Sequence, residues 1–199
     1  MSDPGKYRVL NVSSASDWRG GEQQVAYLLQ ELVSSGVDSV LLCPQNSALH
    51  RYCISKGLPH KSFVRKLSTD LSLAIQIFKL CRREKFDIVH THDGKAHAAA
   101  WIASLLGNKV PLVISRRVDF PVRSNWISDK KYNCSSIRAY LCVSNAVKLA
   151  LAPAVRSKEL LKVVHDGIDV DRFKSRSKRV DLRELCEIPA DHKIVGNVA

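Results

Sequence analysis

The fold is decided by residues 8–44, which open with Arg8-Val-Leu-Asn-Val-Ser13 and continue through the loop Ser14-Ala-Ser-Asp-Trp-Arg-Gly-Gly21. The opening run is short and apolar, as is typical of a buried strand. Behind the loop, apolar residues recur at positions 25, 28, 29, 32 and 33, which is the spacing of one helix face. A second apolar run, Ser39-Val-Leu-Leu-Cys43, ends at Pro44. Strand, helix and strand in this order predict a parallel βαβ unit.

The same alternation repeats along the rest of the chain. Further strands are predicted near residues 61–64, 87–91, 110–115, 139–143 and 162–165, with helices over 47–56, 71–84, 96–106 and from Ser144 onward. Alternating strands and helices build a mostly parallel sheet with helices on its faces. The sequence therefore predicts an α/β fold with a Rossmann-like, doubly wound parallel sheet.

Composition limits the protein class. The chain has 199 residues, 45% of them hydrophobic and 25% charged, which excludes a collagen, a coiled coil and a low-complexity disordered chain. None of the six cysteines forms a C-x-x-C pair, so we expect reduced core thiols. The longest apolar stretch, residues 98–106, is far shorter than the roughly 20 residues of a membrane span. With no apolar signal core near Met1, the expected location is cytoplasmic.

The net charge of +12 and the isoelectric point of about 9.6 point to anionic partners. Phosphates, nucleic acid and an acidic membrane surface are the three candidates. The basic residues are spread along the chain, no nucleic-acid motif is present, and few aromatic residues lie among the lysines, which argues against nucleic acid. We therefore expect peripheral contact with the inner face of the cytoplasmic membrane.

The loop after the first strand is the first candidate binding element. Neither a Walker loop nor G-x-G-x-x-G is present, which disfavours a nucleoside triphosphatase and a dinucleotide dehydrogenase. Instead, Gly20 and Gly21 directly precede a helix. Backbone amides at a helix N-terminus bind anions, and glycine allows close approach, so a phosphate is the expected ligand.

Four segments together resemble the N-terminal half of a family 4 glycosyltransferase with the GT-B fold. They are Trp18-Arg-Gly-Gly-Glu-Gln-Gln24, Asp87-Ile-Val-His-Thr-His-Asp93, Cys142-Val-Ser-Asn-Ala-Val147 and Val164-His-Asp-Gly-Ile-Asp-Val-Asp-Arg-Phe173. The chain departs from the family pattern twice: Gln23 replaces the usual Glu, with Glu22 just before it, and Asp166 replaces the usual Asn. The resemblance covers nearly the whole chain.

The resemblance implies transfer of a sugar from a nucleotide-sugar donor to a glycan or lipid-linked acceptor, with retention at the anomeric carbon. Cell-envelope polysaccharide or lipopolysaccharide synthesis is the expected setting. The nucleotide sugar is a co-substrate, and neither a cofactor nor a metal is expected. Positive charge and backbone amides would stabilise the leaving diphosphate.

The resemblance also assigns two roles to residues of this chain. Gly20 and Gly21 match the loop that approaches the donor diphosphate. His92 matches a histidine near the reacting sugar, where it would position a sugar hydroxyl as the catalytic candidate. His90 shares its strand face two residues earlier and is expected to be a core histidine. A zinc site built from His90, His92 and His97 lacks further ligands and is disfavoured.

Residue chemistry adds candidates for the acceptor side of the cleft. Arg116 and Arg117 follow the fifth predicted strand, where forked guanidinium groups suit a phosphate or carboxylate, although an ion pair with Asp119 is the alternative. Residues 122–133 are interpreted as a loop in which aromatic and basic residues interleave, suited to stacking on a sugar or to solvent exposure alone. The remaining cleft candidates are Asp17, which also suits a helix cap, Trp18, Asp93 and Trp126.

The predicted organisation is an acceptor-side domain over residues 1–172, a linker over 173–192 and the start of a truncated nucleotide-sugar-binding domain over 193–199. The basic run 173–179 marks the linker, a short helix is predicted near 182–186, and 193–199 is predicted as a strand. This chain alone is expected to be inactive. A sugar-nucleotide epimerase of the same fold and a non-catalytic domain binding phosphate or nucleic acid are the alternatives.

Overall fold

The computed structural model describes residues 7–64, 69–174 and 180–196. Seven strands form one sheet: β1 (Arg8–Val12), β2 (Asp38–Pro44), β3 (His60–Phe63), β4 (Ile88–Thr91), β5 (Leu112–Arg116), β6 (Ile137–Cys142) and β7 (Leu161–Val163). Their spatial order is β3-β2-β1-β4-β5-β6-β7, and every pairing is parallel. The predicted doubly wound α/β sheet is thereby confirmed.

Helices connect the strands. They are α1 (Gly20–Ser34), α2 (Ala48–Lys56), α3 (Thr69–Glu84), α4 (Gly94–Leu105), α5 (Trp126–Tyr132) and α6 (Asn145–Leu151), followed by 3₁₀ turns at Ala152–Ala154 and Lys158–Leu160. Side chains cap several N-termini: Ser47, Asn125 and Ser144 each accept a bond from a first-turn amide. Gly57 ends α2 with a φ of 63°, a left-handed conformation that glycine adopts without strain.

Two apolar clusters lie on the two faces of the sheet. Within β2, Val40 and Leu42 belong to the larger cluster, with α3 and α4, whereas Leu41 and Cys43 belong to the smaller one, with α1 and α2. Successive strand residues point to opposite faces, so this division shows that both faces are covered. All six cysteines are free, and four of them are buried, at positions 43, 53, 81 and 142.

Three sequence predictions differ from the structure. The stretch 122–133, interpreted as a loop, contains helix α5, which Asn125 starts by accepting the Ser128 amide at 2.8 Å. The predicted strand at 193–199 is not seen in its described part, residues 193–196, which have no regular secondary structure or pairing strand. Within the predicted linker, Phe173 and Lys174 lie in α7 (Asp171–Lys174), while residues 175–179 fall outside the described ranges.

The chain divides into two compact units, Met1–Asp166 and Gly167–Ala199. The first holds the sheet and every helix up to α6. The second contains the short helices α7 and α8 (Leu182–Leu185), the latter close to its predicted place. No helix within the described part of the chain is long and apolar enough to cross a membrane.

Candidate functional site

The carboxyl ends of β1 and β4 lie side by side at the point where the strand order reverses. Strands to one side of this point run β1-β2-β3, and those to the other run β4-β5-β6-β7. Connections leave the sheet in opposite directions here and open a crevice, which is where open parallel sheets bind ligands. The glycine loop follows β1 and His92 follows β4, so the topology brings these two predicted elements to the same crevice.

Helix α1 starts differently from α2, α4, α5 and α6, each of which has a side-chain cap. Its N-cap is Arg19, whose side chain has no acceptor atom for the first-turn amides. Gly20 and Gly21 are the first two helical residues, and a Cβ added to either would meet no atom within 4 Å. The glycines are therefore not required by internal packing, and the space beside them is open. Glu22, next to the position of the family's usual Glu, accepts the Arg19 amide at 3.0 Å.

An open cleft of about 930 Å³ lies along this loop, lined by residues 14–17, 19, 22 and 93–95. Asp17 is one of its exposed lining residues and does not cap the helix, contrary to the alternative considered for it. Trp18 is not part of the lining: its ring packs against Tyr52 of α2, with centroids 5.2 Å apart. The structure thus groups Asp17 with the glycine loop and places Trp18 against α2.

A buried chain of hydrogen bonds fixes the His92 ring. Asn11, fully buried in β1, donates from Nδ2 to Ser39 Oγ at 2.9 Å. Its Oδ1 accepts from His92 Nε2 at 3.0 Å. Because the ring donates through Nε2, neutral His92 carries its lone pair on Nδ1. That nitrogen is buried and has no hydrogen-bond partner among the described residues, so it is available to accept a ligand hydroxyl.

Burial keeps these histidines uncharged. Desolvation, helped by the nearby charges of His90 and Arg117, lowers the pKa of His92 well below its ordinary value of 6.5. Desolvation, with a smaller contribution from Arg117, lowers the pKa of His90 to about 4. The two ring centroids lie 4.1 Å apart with their planes tilted by 43°, which matches the shared strand face, and His90 Nε2 lies 2.8 Å from Ser115 Oγ. At neutral pH His92 is therefore a hydrogen-bond acceptor rather than a cation.

Asp93 holds two elements together beside His92. As the N-cap of α4 it accepts the amides of Lys95 and Ala96, at 3.1 and 2.9 Å. The same carboxylate accepts the Ser14 amide and hydroxyl, each at 2.6 Å. Both oxygens are thus bonded to the chain itself, which makes Asp93 a positioning residue between the glycine loop and α4.

A second cavity, of about 550 Å³, lies at the carboxyl ends of β4, β5 and β6. Its lining brings together His92, Asp93, Arg116 and Arg117, four of the predicted residues. The Arg116 guanidinium donates to the Phe120 carbonyl at 2.6 Å, and Arg117 Nε donates to Asp166 at 3.2 Å. The expected ion pair with Asp119 is not present among the described contacts, and Asp166, where the family usually has Asn, takes that place.

Trp126 stands apart from these residues. It is the first residue of α5, its side chain is 73% exposed, and it lines neither the open cleft nor the second cavity. Stacking of Trp126 on an acceptor sugar therefore stays a prediction, because neither depression brings another candidate residue to Trp126.

Sequence reasoning missed two residues of the site. Asn11, which sets the His92 tautomer, had a visible signal, because an amide in the middle of an apolar strand must find a buried partner. Tyr140 lines the second cavity and carried no such signal. Its hydroxyl donates at 2.8 Å to the carbonyl of Tyr132, which also lines the cavity and belongs to the aromatic and basic stretch 122–133. In the described ranges, no three His, Cys, Asp or Glu side chains are placed to hold a metal ion.

The sequence matches the model of Glycosyltransferase Family 4 over residues 18–172. It is 25% identical over 182 residues to an Escherichia coli enzyme, UDP-Gal:alpha-D-GlcNAc-diphosphoundecaprenol alpha-1,3-galactosyltransferase. That alignment covers 82% of this chain and 46% of the enzyme. The chain therefore spans about half the length of this relative.

Solved structures share the fold. A glycosyltransferase from Rickettsia africae superposes with a TM-score of 0.70 at 19% identity, covering 94% of this chain and 51% of that one. Anabaena HepE, solved with UDP-glucose, gives 0.70 at 16% identity over 90% of this chain and 49% of that one. UDP-N-acetylglucosamine 2-epimerase from Rickettsia bellii gives 0.61 at 13% identity, covering 92% and 52%.

The fold similarity extends to transferases and to an epimerase, so fold alone does not separate these classes. The family match is more specific, because it includes the glycine loop, His92 and the segment around Asp166. It covers most of the sequence, from Trp18 to Arg172. The chain belongs to Glycosyltransferase Family 4.

Proposed function

We propose that this chain is the acceptor-side half of an enzyme that transfers a sugar from a nucleotide-sugar donor to a glycan or lipid-linked acceptor. The observation that carries the proposal is the meeting of the glycine loop and the His92 lone pair at one crevice, in a chain of this family. The Escherichia coli relative, whose name specifies a UDP-sugar donor and a diphospholipid acceptor, supports these substrate classes and a role in cell-envelope glycan synthesis.

The first turn of α1 would hold the leaving diphosphate. Its amides have no side-chain cap, the positive end of the helix dipole lies there, and no Cβ at Gly20 or Gly21 blocks approach. As the bond from the anomeric carbon to the phosphate oxygen breaks, negative charge develops on that oxygen. Fixed N–H dipoles that face this charge lower the barrier without reorganising.

His92 would orient the transferred sugar. Its Nδ1 accepts a hydroxyl, while the bond from Nε2 to Asn11 prevents the ring from turning. Retention at the anomeric carbon and a reaction without a metal belong to the same proposal and are supported by the family resemblance. The nucleotide-sugar pocket itself would lie in a second α/β domain, so we expect residues 1–199 alone to transfer no sugar.

Peripheral membrane contact on the cytoplasmic face would bring the enzyme to a lipid-linked acceptor. The net charge of +12 favours an anionic bilayer surface, and Phe120 and Trp126 are each more than 70% exposed. Tryptophan, whose ring is apolar and whose N–H is polar, favours the interface between water and lipid, and phenylalanine adds apolar surface.

The test is a product assay on the protein expressed from the complete reading frame that contains this chain. Nucleotide sugars are supplied with and without a sugar-diphospholipid acceptor, and the products are identified by mass spectrometry and NMR. We expect a glycosylated lipid and free nucleoside diphosphate, formed only when acceptor is present. Conversion of the donor into its epimer without acceptor would support the epimerase instead.

A further inference from the structure

The cavity of about 550 Å³ at the ends of β4, β5 and β6 is not used by the donor loop. It adjoins the open cleft along that loop, since Asp93 and Gly94 line both depressions. The two therefore form neighbouring halves of one site, with the glycine loop on one side and the arginines on the other.

The cavity wall contains two hydrogen-bond donors that have no partner in the described part of the chain. Arg116 Nε and Arg117 Nη1 are buried and have no hydrogen-bond partner among the described residues. An unpaired buried donor costs free energy, about 1–3 kcal/mol, and charged groups cost more. Arginine has enough rotatable bonds to turn such donors toward a ligand.

The Arg116 guanidinium has no carboxylate partner. In the described ranges, no carboxylate lies within 4 Å of it, and its partner is the neutral Phe120 carbonyl. Arg117 is paired with Asp166, and the carboxylate of Asp93 is hydrogen-bonded to Ser14 and to the first amides of α4. Arg116 therefore lines the cavity as a cation without a paired carboxylate, and such a guanidinium favours an anion with several oxygens.

His97 adds an acceptor to the same wall. The ring is 2% exposed and bonds to the Lys131 backbone, which leaves Nε2 buried and without a partner in the described part of the chain. Burial, strengthened by the charges of Lys131 and Arg116, lowers the pKa of His97 to about 3. The neutral ring offers a lone pair, which pairs with a hydroxyl rather than with a phosphate oxygen.

Arginine donors next to a neutral histidine acceptor suit a ligand that carries both phosphate oxygens and hydroxyl groups. We propose that this cavity binds the phosphorylated sugar of the acceptor, with Arg116 and Arg117 on its phosphate and His97 on a ring hydroxyl. The assignment to the acceptor rests on the proposed function, in which the glycine loop takes the donor diphosphate.

Titration calorimetry on the 199-residue chain tests this site without requiring turnover. The probes are N-acetylglucosamine 1-phosphate, inorganic phosphate, N-acetylglucosamine and UDP. We expect the sugar phosphate to bind more tightly than inorganic phosphate and the unphosphorylated sugar to show no heat. Arg116→Gln should weaken binding of both phosphate-containing probes about tenfold or more, the value of one charge-assisted bond. Arg82→Gln, an equal change of charge on the exposed end of α3, should leave binding unchanged.

His97→Phe distinguishes the contact with the sugar hydroxyl from the contacts with the phosphate. It keeps the edge contacts of the ring with Tyr132 and removes the nitrogen acceptor. The affinity for the sugar phosphate should fall several-fold, while the affinity for inorganic phosphate should stay unchanged. Thermal unfolding of each variant checks the fold, and Arg117→Gln replaces Arg116→Gln if the latter does not fold.

Three results would overturn the proposal: no binding of the sugar phosphate to the wild-type chain, equal weakening by Arg82→Gln, or displacement of the sugar phosphate by UDP with the same dependence on Arg116. The last result would assign the cavity to the donor. If the complete protein transfers sugar but the chain does not bind the sugar phosphate, the proposed binding site is wrong and the proposed function stands. If the chain binds the sugar phosphate but the complete protein transfers no sugar, the proposed function is wrong and the binding site stands.

Discussion

Asn11 determines which nitrogen of His92 carries the lone pair. Its amide is oriented by Ser39, which accepts from Nδ2, so that Oδ1 faces the imidazole. An acceptor at this position keeps the proton on Nε2 and the lone pair on Nδ1. The role proposed for His92 thus depends on a fully buried residue in the middle of β1.

Replacing Asn11 with Ala should lower both stability and activity. The substitution leaves the His92 Nε2–H and the Ser39 hydroxyl without their buried partner, which should reduce the free energy of unfolding by about 2 kcal/mol. The freed ring can exchange tautomers, so transfer by the complete protein should fall about tenfold. Urea unfolding, sugar-transfer rates and the nitrogen chemical shifts of the His92 ring measure the three effects.

Asn145→Ala is the matched control, because Asn145 is an exposed residue at the start of α6. It should leave stability within about 0.5 kcal/mol of wild type. Wild-type stability and an unchanged His92 spectrum in Asn11→Ala would contradict the role assigned to the amide.

For individual residues, the sequence predicted which side chains lie near one another but not which hydrogen bonds they form. Arg116 and Arg117 were found because they follow a predicted strand, and strand ends converge on one edge. His92 was assigned from the family resemblance. Asn11 and His92 are 81 positions apart in sequence, so their hydrogen bond depends on the alignment of β1 with β4. His97 was considered only as a metal ligand, because nothing in the sequence shows that its ring faces the cavity of the arginines.

Helix α4 and the loop after β1 are joined through one carboxylate. Asp93 caps α4 and also holds Ser14, whereas Ser47 caps α2 through a single bond to the His50 amide at 3.1 Å. Asp93 links a helix to a loop, whereas Ser47 caps one helix only. The stability lost on removing each side chain can therefore be compared.

Asp93→Ala should destabilise the chain by about 3 kcal/mol, because it removes a helix cap and charge-assisted bonds to Ser14. Ser47→Ala should cost about 1 kcal/mol, the ordinary value of an N-cap. Urea unfolding curves provide both values. Equal losses in the two variants would show that the bonds between Asp93 and the loop add no stability.

Element positions were predicted well where periodicity is long. Helices α1 and α3 have 15 and 16 residues, enough for an apolar face to repeat several times. Helix α5 has seven residues, too few for a clear period, and was interpreted as a loop. For the predicted strand at 193–199, an apolar run alone was insufficient, because a strand exists only where a partner strand lies beside it.

Across the whole molecule, the three buried histidines should make stability depend on pH. The pKa values of His90 and His97 fall to about 4 and 3 in the folded chain, and that of His92 falls too, against 6.5 when unfolded. Below pH 6.5 the unfolded chain therefore binds more protons than the folded one. Stability is fully present above that pH and decreases as the pH falls toward 4.

Each histidine contributes a slope of about 1.4 kcal/mol per pH unit in this window. Urea unfolding at pH 7.5, 6.5 and 5.5 measures how the free energy of unfolding depends on pH. His97→Phe should reduce this dependence by the contribution of one histidine. A free energy of unfolding that stays constant from pH 6.5 to 5.5 would show that these rings protonate while folded.

The overall architecture was the part most accessible from the sequence. Apolar runs alternating with amphipathic stretches predict a parallel sheet, and short connections limit its topology. The proposed function depends on less regular features, the glycine loop and the residues after β4 and β5. The family match over residues 18–172 includes Gly20, Gly21 and these later segments.

The central claim is that His92 and the glycine loop form one wall of a sugar-transfer site. The most direct test is the transfer rate of the protein from the complete reading frame, compared between wild type, His92→Phe and His60→Phe. His60 lies on the edge strand β3, away from the crevice, and serves as the control. We predict acceptor-dependent transfer that falls about 10- to 100-fold in His92→Phe, measured at a temperature where thermal unfolding shows both variants folded, and stays unchanged in His60→Phe. Transfer at the wild-type rate in His92→Phe, or no transfer with any nucleotide sugar, would contradict the account.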